Sequence, residues 1–122
     1  MGKYANDSVM DAALTYIGTA STLLSICLSQ PADAAALGTS ALGTVATEAA
    51  NFTNANADGG GGGRKVTHAA ATITVGTSGT ITHIALSGAA LNFVGTCAPT
   101  SVTASGTVIL SAWDVTEIAD PT

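Results

Sequence analysis

Charged side chains are scarce in this sequence, and cations are the scarcest of them. Asp, Glu, Lys and Arg make up 9% of the 122 residues, against roughly a quarter in average proteins. Lys3, Arg64 and Lys65 are the only lysines and arginines, and the formal net charge is -5. Because a nucleic-acid-binding surface needs several cations on one face, we expect no nucleic acid partner.

Long apolar runs are also missing. The longest apolar stretch near the start, residues 23–28, is far shorter than the roughly 20 residues that span a bilayer. Asp7 and Asp11 stand where a signal peptide would be cationic. We therefore expect a protein made in the cytoplasm of the cell that produces it, with no membrane partner and one domain over residues 1–122.

Cysteine is rare, and its spacing does not suit a metal. Cys27 and Cys97 lie far apart and form no CxxC or Cys/His pattern. The pair is interpreted as two buried thiols or, after release from the cell, as a single bridge. The carboxylates are scattered singly and no GxSxG stretch occurs, so we predict no catalytic residue, no metal, no cofactor and no enzymatic activity.

The stretch DGGGGGRK, residues 58–65, suggests a phosphate-binding loop at first sight. A Walker A loop requires Gly-Lys followed by Ser or Thr and then a helix, but here Arg64 follows Gly63, and Val66 follows Lys65. The GxGxxG fingerprint also fails in every register. The five glycines, 59–63, are predicted to form a loop, and Arg64 and Lys65 are candidates for an electrostatic contact with a neighbouring subunit.

A short helix is predicted near the start, over about residues 7–17. Ser8 and Asp11 resemble a capping box, and Gly18 suits a left-handed C-terminal position. Apolar residues recur there at helical spacing. They are Val9, Met10, Ala13, Leu14 and Ile17.

Strands are predicted for most of the second half, in a strand-rich region over about residues 65–118. Segments rich in Thr, Ile and Val alternate with Gly, Pro and Ser, and GTSG (76–79) and SGAA (87–90) suit hairpin turns. An apolar run over 22–31 predicts one earlier strand, and 32–57 is interpreted as loop with a short strand near 44–47. The predicted fold is mainly β, an antiparallel β-sandwich or jelly roll with one short N-terminal helix. The strand segments of the second half are 66–75, 79–88, 91–97 and 106–118.

The histidines and the tryptophan are the remaining side chains of interest. His68 and His83 fall on strand patterns without a third metal ligand, so each is interpreted as a satisfied or solvent-facing strand residue. Ile84 and Leu86 are the better core candidates of their strand, which leaves His83 pointing outward or into a subunit contact. Trp113 is either core filler or an interface anchor.

The order of several motifs resembles a family of small virion structural proteins of tailed bacteriophages. Similar landmarks run through nearly the whole chain, and those in its last third are the most specific. They are DAALTYI, SICLSQP, GRKVT, GTITHIAL, LNFVGTC and TVILSAWDVTEIADP.

The resemblance implies a β-sandwich structural protein that forms trimers on the virion. The expected function is capsid decoration, or cement: binding to the major capsid protein on the outer surface of the head and stabilising contacts between capsomers. The alternative is a tail or head-fibre module that binds a host-surface glycan or receptor. The five-glycine run departs from the family pattern, which puts the length and order of that loop in doubt.

Overall fold

The computed structural model describes residues 6–56 and 63–118, a mainly β structure with one long helix at its start. The predicted antiparallel β fold with one main N-terminal helix is confirmed. The helices are α1 (Asp7–Ala20) and α2 (Leu37–Ser40), with a 3-10 turn over Ala49–Asn51. The strands are β1 (Leu23–Cys27), β2 (Ala41–Ala46), β3 (Phe52–Asn56), β4 (Arg64–His68), β5 (Ala71–Val75), β6 (Gly79–Ser87), β7 (Leu91–Val102), β8 (Thr107–Leu110) and β9 (Trp113–Ile118).

The strands form two sheets in which every pairing is antiparallel. The larger sheet has the order β7-β6-β1-β2-β5-β8 and curls into a half-barrel. The smaller sheet has the order β3-β4-β9, and α1 packs against all three of its strands. Both sheets and α1 contribute to one hydrophobic core, because Leu14 of α1 and Val66 of β4 pack in the same cluster as Ile26 of β1.

Helix α1 is longer than predicted, and three of the five residues of its predicted apolar stripe, Met10, Leu14 and Ile17, pack toward the core. Asn6, rather than Ser8, is the N-cap, since its Oδ1 accepts a hydrogen bond of 2.8 Å from the Ser8 backbone N–H. Three residues are buried, and their spacing of four places them on one face of the helix: Met10, Leu14 and Gly18. Two members of the predicted apolar stripe, Val9 and Ala13, lie outside that face and are exposed.

Gly18 does not end the helix, as the sequence suggested, because α1 continues to Ala20 and ends at Ser21. The glycine instead permits close packing of α1 on the smaller sheet. A Cβ placed at Gly18 would lie 3.0 Å from the ring of Phe52, tighter than ordinary van der Waals contact. Glycine at this position therefore sets the distance between helix and sheet.

Two of the predicted strand segments each divide into strands of different sheets. Residues 66–75 span β4 and β5, and residues 106–118 span β8 and β9. The breaks fall at 69–70 and 111–112, where the chain crosses from one sheet to the other. The inward-facing positions change phase at both breaks, from Val66 and His68 to Ile73, and from Val108 and Leu110 to Val115. Because Thr, Ile and Val are frequent on both sides of each break, composition predicts one strand where there are two.

Of the two predicted hairpins, one is confirmed and one is wrong. The SGAA segment connects β6 to β7, which pair with each other. The GTSG segment connects β5 to β6, which are not neighbours, so the chain crosses the end of the sheet there. The backbone N–H groups of Gly76 and Thr77 donate to the Leu42 carbonyl of β2, at 2.7 and 3.1 Å, and hold this crossing in place.

A register shift in β6 explains which of its residues reach the core. Ile84 and Leu86 are core residues, as predicted. Ile81 joins them because the β6–β7 register shifts between Ile81 and His83. Thr82 does not share their environment, and its hydroxyl donates to the Leu28 carbonyl at 3.0 Å.

The region interpreted as loop contains more structure than predicted. The short strand expected near 44–47 is present as β2, over Ala41–Ala46. Strand β3, over Phe52–Asn56, was missed, and so was the short helix α2. Of the five-glycine tract, residues 59–62 lie outside the described residues, and Gly63 precedes β4 with a left-handed φ of 87°.

Candidate interaction site

The two cations of the GRK motif lie on opposite faces of β4. Successive residues of a strand point to opposite sides of the sheet. Arg64 faces α1 and forms a two-pronged ion pair with Asp11, with Nε–Oδ1 and Nη2–Oδ2 distances of 2.8 and 3.1 Å. Lys65 Nζ lies 3.2 Å from Oδ2 of Asp114 on the neighbouring strand β9.

These ion pairs change the protonation equilibria of two of their members. The hydrogen bond from Lys65, and then the one from Thr67, holds the pKa of Asp114 below its usual range. The hydrogen bond to Asp11 raises the pKa of Arg64 above its usual value. Both predicted interface cations therefore have carboxylate partners within the chain. Contact with a neighbouring subunit stays a prediction, and Lys65 is the more accessible of the two, with 26% of its side chain exposed against 16% for Arg64.

Trp113 is half-buried and belongs to a row of rings that joins the two sheets. Its indole stacks on His68 of β4, with centroids 6.0 Å apart, and lies 5.9 Å from the Phe93 ring of β7. Phe52 meets His68 edge-on, with the ring centroids 4.8 Å apart. Trp113 Nε1 is one of two side-chain nitrogen or oxygen atoms in the described residues that are buried without a hydrogen-bond partner. The interpretation of Trp113 as packing against the core is consistent with this position, and its role as an interface anchor stays a prediction.

His68 is the ionisable side chain of this row of rings, and it is buried. It is 2% exposed, and both ring nitrogens have partners. Nδ1 donates to the Ala69 carbonyl, which only accepts, at 2.6 Å. Nε2 and the Thr47 hydroxyl oxygen are hydrogen-bonded at 2.8 Å, and the same hydroxyl donates to Asn51 Oδ1 at 3.2 Å. The interpretation of His68 as a satisfied strand histidine is confirmed.

His83 lies on the larger sheet, away from the ring row, and is half-buried. Thr82 donates its only hydroxyl proton to Leu28, so its oxygen accepts from His83 Nδ1 at 2.8 Å. No three His, Cys, Asp or Glu side chains are grouped to hold a metal within residues 6–56 and 63–118. A subunit contact through His83 stays a prediction.

Both cysteines are free thiols in this structure. Cys27 is buried, and Cys97 is half-buried. Burial, and then the proximity of Cys97, raises the pKa of the Cys27 thiol to about 11. Burial also raises the pKa of Cys97. Both groups are therefore protonated and poor nucleophiles at neutral pH.

The larger sheet carries no Asp, Glu, Lys or Arg in any of its six strands, and we call it the neutral sheet. In the described part of the chain, the charged side chains lie on α1, on the smaller sheet and in two connecting segments. They are Asp7, Asp11, Asp33, Glu48, Arg64, Lys65, Asp114 and Glu117.

The neutral sheet is open between its two end strands. Strands β7 and β8 follow each other in the chain through a turn at 103–106, yet β7 pairs with β6 and β8 pairs with β5. The strands diverge around a cavity of about 310 Å³, which we call the edge groove. Its floor is Ile26, Ile81 and Ile84, and its walls are Cys97, Ala98 and Thr100 of β7 and Val108, Ile109 and Leu110 of β8.

The four predicted interface residues do not form one site. Lys65 and Trp113 lie on opposite faces of the smaller sheet, Arg64 pairs with α1, and His83 belongs to the neutral sheet. The edge groove was missed by the sequence interpretation. The absence of any Asp, Glu, Lys or Arg between Lys65 and Asp114 could have indicated four of the six strands of the neutral sheet, but not the gap between β7 and β8.

No family model, curated protein or solved structure matches the chain. Within the residues that the structure describes, no helix combines the length and the apolarity that a membrane crossing requires. The structure itself defines the class of fold: a mainly antiparallel β protein with a half-barrel, a small second sheet and one long helix packed on that second sheet.

Proposed function

We propose that this chain is a structural subunit of a tailed-phage virion, specifically a capsid decoration protein on the outer surface of the head. Its partners are the major capsid protein and two further copies of itself in a homotrimer. The order of the motifs described above, which resembles that of small virion proteins, supports this proposal. The neutral sheet is the structural observation that carries it.

The two end strands of the neutral sheet differ in how their edges are protected. Proteins protect exposed edges with short strands, charges, bulges or Pro. Strand β7 carries Pro99 and a register shift, whereas β8 is short, at 4 residues, but has no charge and no Pro over Thr107–Leu110. Charged residues are depleted at the centres of protein interfaces. The neutral sheet is rich in Thr and uncharged, and the charges lie on the helix and the second sheet. This arrangement suits a subunit that places its neutral sheet against a larger assembly.

The exposed residues of this sheet support a role through contact area. Thr72 and Thr74 of β5 are exposed, and so are Thr96, Thr100 and Ser101 of β7. Hydroxyl and backbone groups at a symmetric interface form hydrogen bonds without the cost of desolvating a charge. Capsid decoration requires this kind of extended contact and no reacting group.

Virions lacking the chain test the proposal. We expect them to lose infectivity faster on heating and on exposure to a chelator, and purified chain added back to restore resistance. Antibody labelling should place the chain on the head. Unchanged resistance together with labelling of tails alone would overturn the proposal. Saturable binding of the isolated chain to bacterial surface glycan would then favour the host-binding alternative.

A lysine placed on the neutral sheet tests which side contacts the shell. Thr72→Lys adds a charge to an exposed position of β5, and Thr19→Lys adds the same charge to an exposed position of α1. We expect the first variant to bind shells at least tenfold more weakly than the second. Equal binding by both would show that the neutral sheet is not the contact surface.

A further inference from the structure

The edge groove is a gap in a sheet, and its two walls are the end strands of that sheet. Strand directions alternate through the neutral sheet, so β7 and β8 run antiparallel to each other. Each end strand leaves one row of backbone N–H and C=O groups outside the ladders of the described chain. A ligand for this groove has to satisfy backbone groups. The floor residues Ile26, Ile81 and Ile84 are only 1, 4 and 7% exposed, so most of the apolar surface left to cover is on the walls.

The floor and the exposed wall together define the side chains that fit. Ile26, Ile81 and Ile84 form an apolar floor, and the groove volume of about 310 Å³ is roughly twice that of an engineered cavity that binds benzene. This leaves room for about two branched apolar side chains. On the outer side, Ile109 is 79% exposed and offers an apolar neighbour to a residue placed beside it.

Strand β8 is the wall better suited to pairing. Pro99 interrupts the donors of β7, in the segment where the β6–β7 register shifts. Strand β8 has no Pro, and its residues alternate, with Val108 and Leu110 packed against the core and Ile109 facing outward. A strand that pairs with β8 would place alternate residues over the groove floor and the residue between them beside Ile109.

We propose that the edge groove binds an extended, uncharged segment of another polypeptide, which adds a strand to β8 and carries branched apolar side chains at alternate positions. This inference rests on the proposed function for the supplier of the segment, which is the capsid shell. The bound strand would lie between β7 and β8 and close the half-barrel. Backbone pairing would provide affinity, and the apolar walls above the buried isoleucine floor would provide selection, as in other cases of strand addition.

The supplier is a different protein rather than a second copy of this chain. The segments outside the described residues are MGKYA (1–5), ADGGGG (57–62) and ADPT (119–122), and none contains Val, Ile or Leu. Each also carries a charged residue, which the uncharged groove disfavours. In a second copy, β8 is hydrogen-bonded to β5 of the same copy. If that β8 entered the groove, β5 would have to enter with it, so a second copy is a poor supplier of the strand.

Peptide binding to the full chain tests this inference without the capsid. The probe is an acetylated and amidated heptapeptide, Thr-Val-Thr-Val-Thr-Val-Thr, and the matched controls replace its central valine with aspartate or proline. We expect the probe to slow hydrogen exchange of backbone amides in β8, and each control peptide to bind at least tenfold more weakly. Absence of protection in β8 at millimolar probe would overturn the inference.

Variants of the exposed isoleucine locate the contact. Ile109→Lys places a guarding charge on the strand edge, Ile109→Thr keeps the edge neutral, and Val9→Lys changes a residue that is 67% exposed on α1. We expect at least tenfold loss of probe binding for Ile109→Lys and near-normal binding for the other two. Equal binding by Ile109→Lys and Val9→Lys would overturn the inference.

Binding to phage heads separates this inference from the proposed function. If wild-type chain binds heads and Ile109→Lys binds them equally well, strand addition at the groove is wrong and decoration stands. If wild-type chain binds the probe in β8 but not heads, the groove inference stands for a polypeptide partner and its assignment to the capsid shell is wrong.

Discussion

The indole of Trp113 stacks on the imidazole of His68, its direct partner across the β4–β9 ladder, with the ring planes inclined by 29°. The pair sits where the smaller sheet meets the neutral sheet, because the ring of Phe93 of β7 lies 5.9 Å from the indole. Stacking of this kind adds about 0.5–1.5 kcal/mol to the effect of buried area. The two sheets are therefore joined by specific ring contacts as well as by the aliphatic core.

Removing the indole should loosen this junction. We expect Trp113→Ala to lower the free energy of unfolding by about 3 kcal/mol, the lower end for a large aromatic residue because Trp113 is only half-buried. Trp113→Phe keeps a ring and removes the unpartnered Nε1, so its cost should stay within about 1.5 kcal/mol. Urea unfolding measures both values. Equal stability of Trp113→Ala and wild type would show that the ring row contributes nothing.

The hydrogen bond between Thr47 and His68 should contribute to the free energy of unfolding, because its loss leaves a buried nitrogen of His68 without a partner. Thr47→Val leaves Nε2 buried without its partner, for an expected loss of about 1–3 kcal/mol. In a His68→Phe background the same substitution should cost at least about 0.5 kcal/mol less. Thr53→Val, at an exposed position of β3, is the control. Additive effects of the two substitutions would argue against the bond.

Gly43 of β2 should tolerate no side chain. A Cβ at this position would lie 2.5 Å from the carbonyl oxygen of Thr74 on the paired strand β5. We expect Gly43→Ala to destabilise the chain by about 1–3 kcal/mol as the strands move apart. Gly38→Ala is the matched control, because a Cβ there meets nothing within 4 Å. Thermal unfolding that ranks the two variants equally would contradict the close approach of β2 and β5.

The ion pair between Lys65 and Asp114 should make the stability of the chain depend on pH in the acid range. The folded state holds the pKa of Asp114 below the ordinary value, so this contribution to stability is present above about pH 4 and is lost as the pH falls through the folded pKa. Lys65→Gln removes the first cause of the shift. We expect NMR titration of the Asp114 carboxyl to show a higher pKa in that variant. An unchanged pKa would mean that the ammonium does not bind this carboxylate in solution.

The sequence allowed the fold class to be predicted, because Thr/Ile/Val alternation and Gly or Ser turns are local properties of the chain. It did not reveal sheet membership. The Thr- and Val-rich segment 66–75 predicts one strand, although its inward-facing positions change phase between Val66 of β4 and Ile73 of β5, which belong to different sheets. The sequence suggests that Gly18 ends α1, because the ring of Phe52 that requires a glycine there lies far along the chain.

The candidate site could be predicted only in part. The sequence predicts that His68 is satisfied or faces solvent, but it does not indicate Thr47 as the partner, because Thr47 ends the short strand expected near 44–47 and lies 21 residues away. Arg64 and Lys65 were recognised as the notable cations, while Asp11 and Asp114 come from distant elements that only folding brings near them. The edge groove depends on the gap between β7 and β8, and no local pattern marks a pair of strands that fails to pair.

A cryo-EM map of the intact phage particle tests the central claim most directly. The proposed function predicts density for this chain on the outside of the head, at contacts between capsomers, as trimers with the neutral sheet toward the shell. It also predicts an added strand of shell protein beside Thr107–Leu110. Density confined to the tail, or heads with the neutral sheet facing solvent in every copy, would contradict the claim.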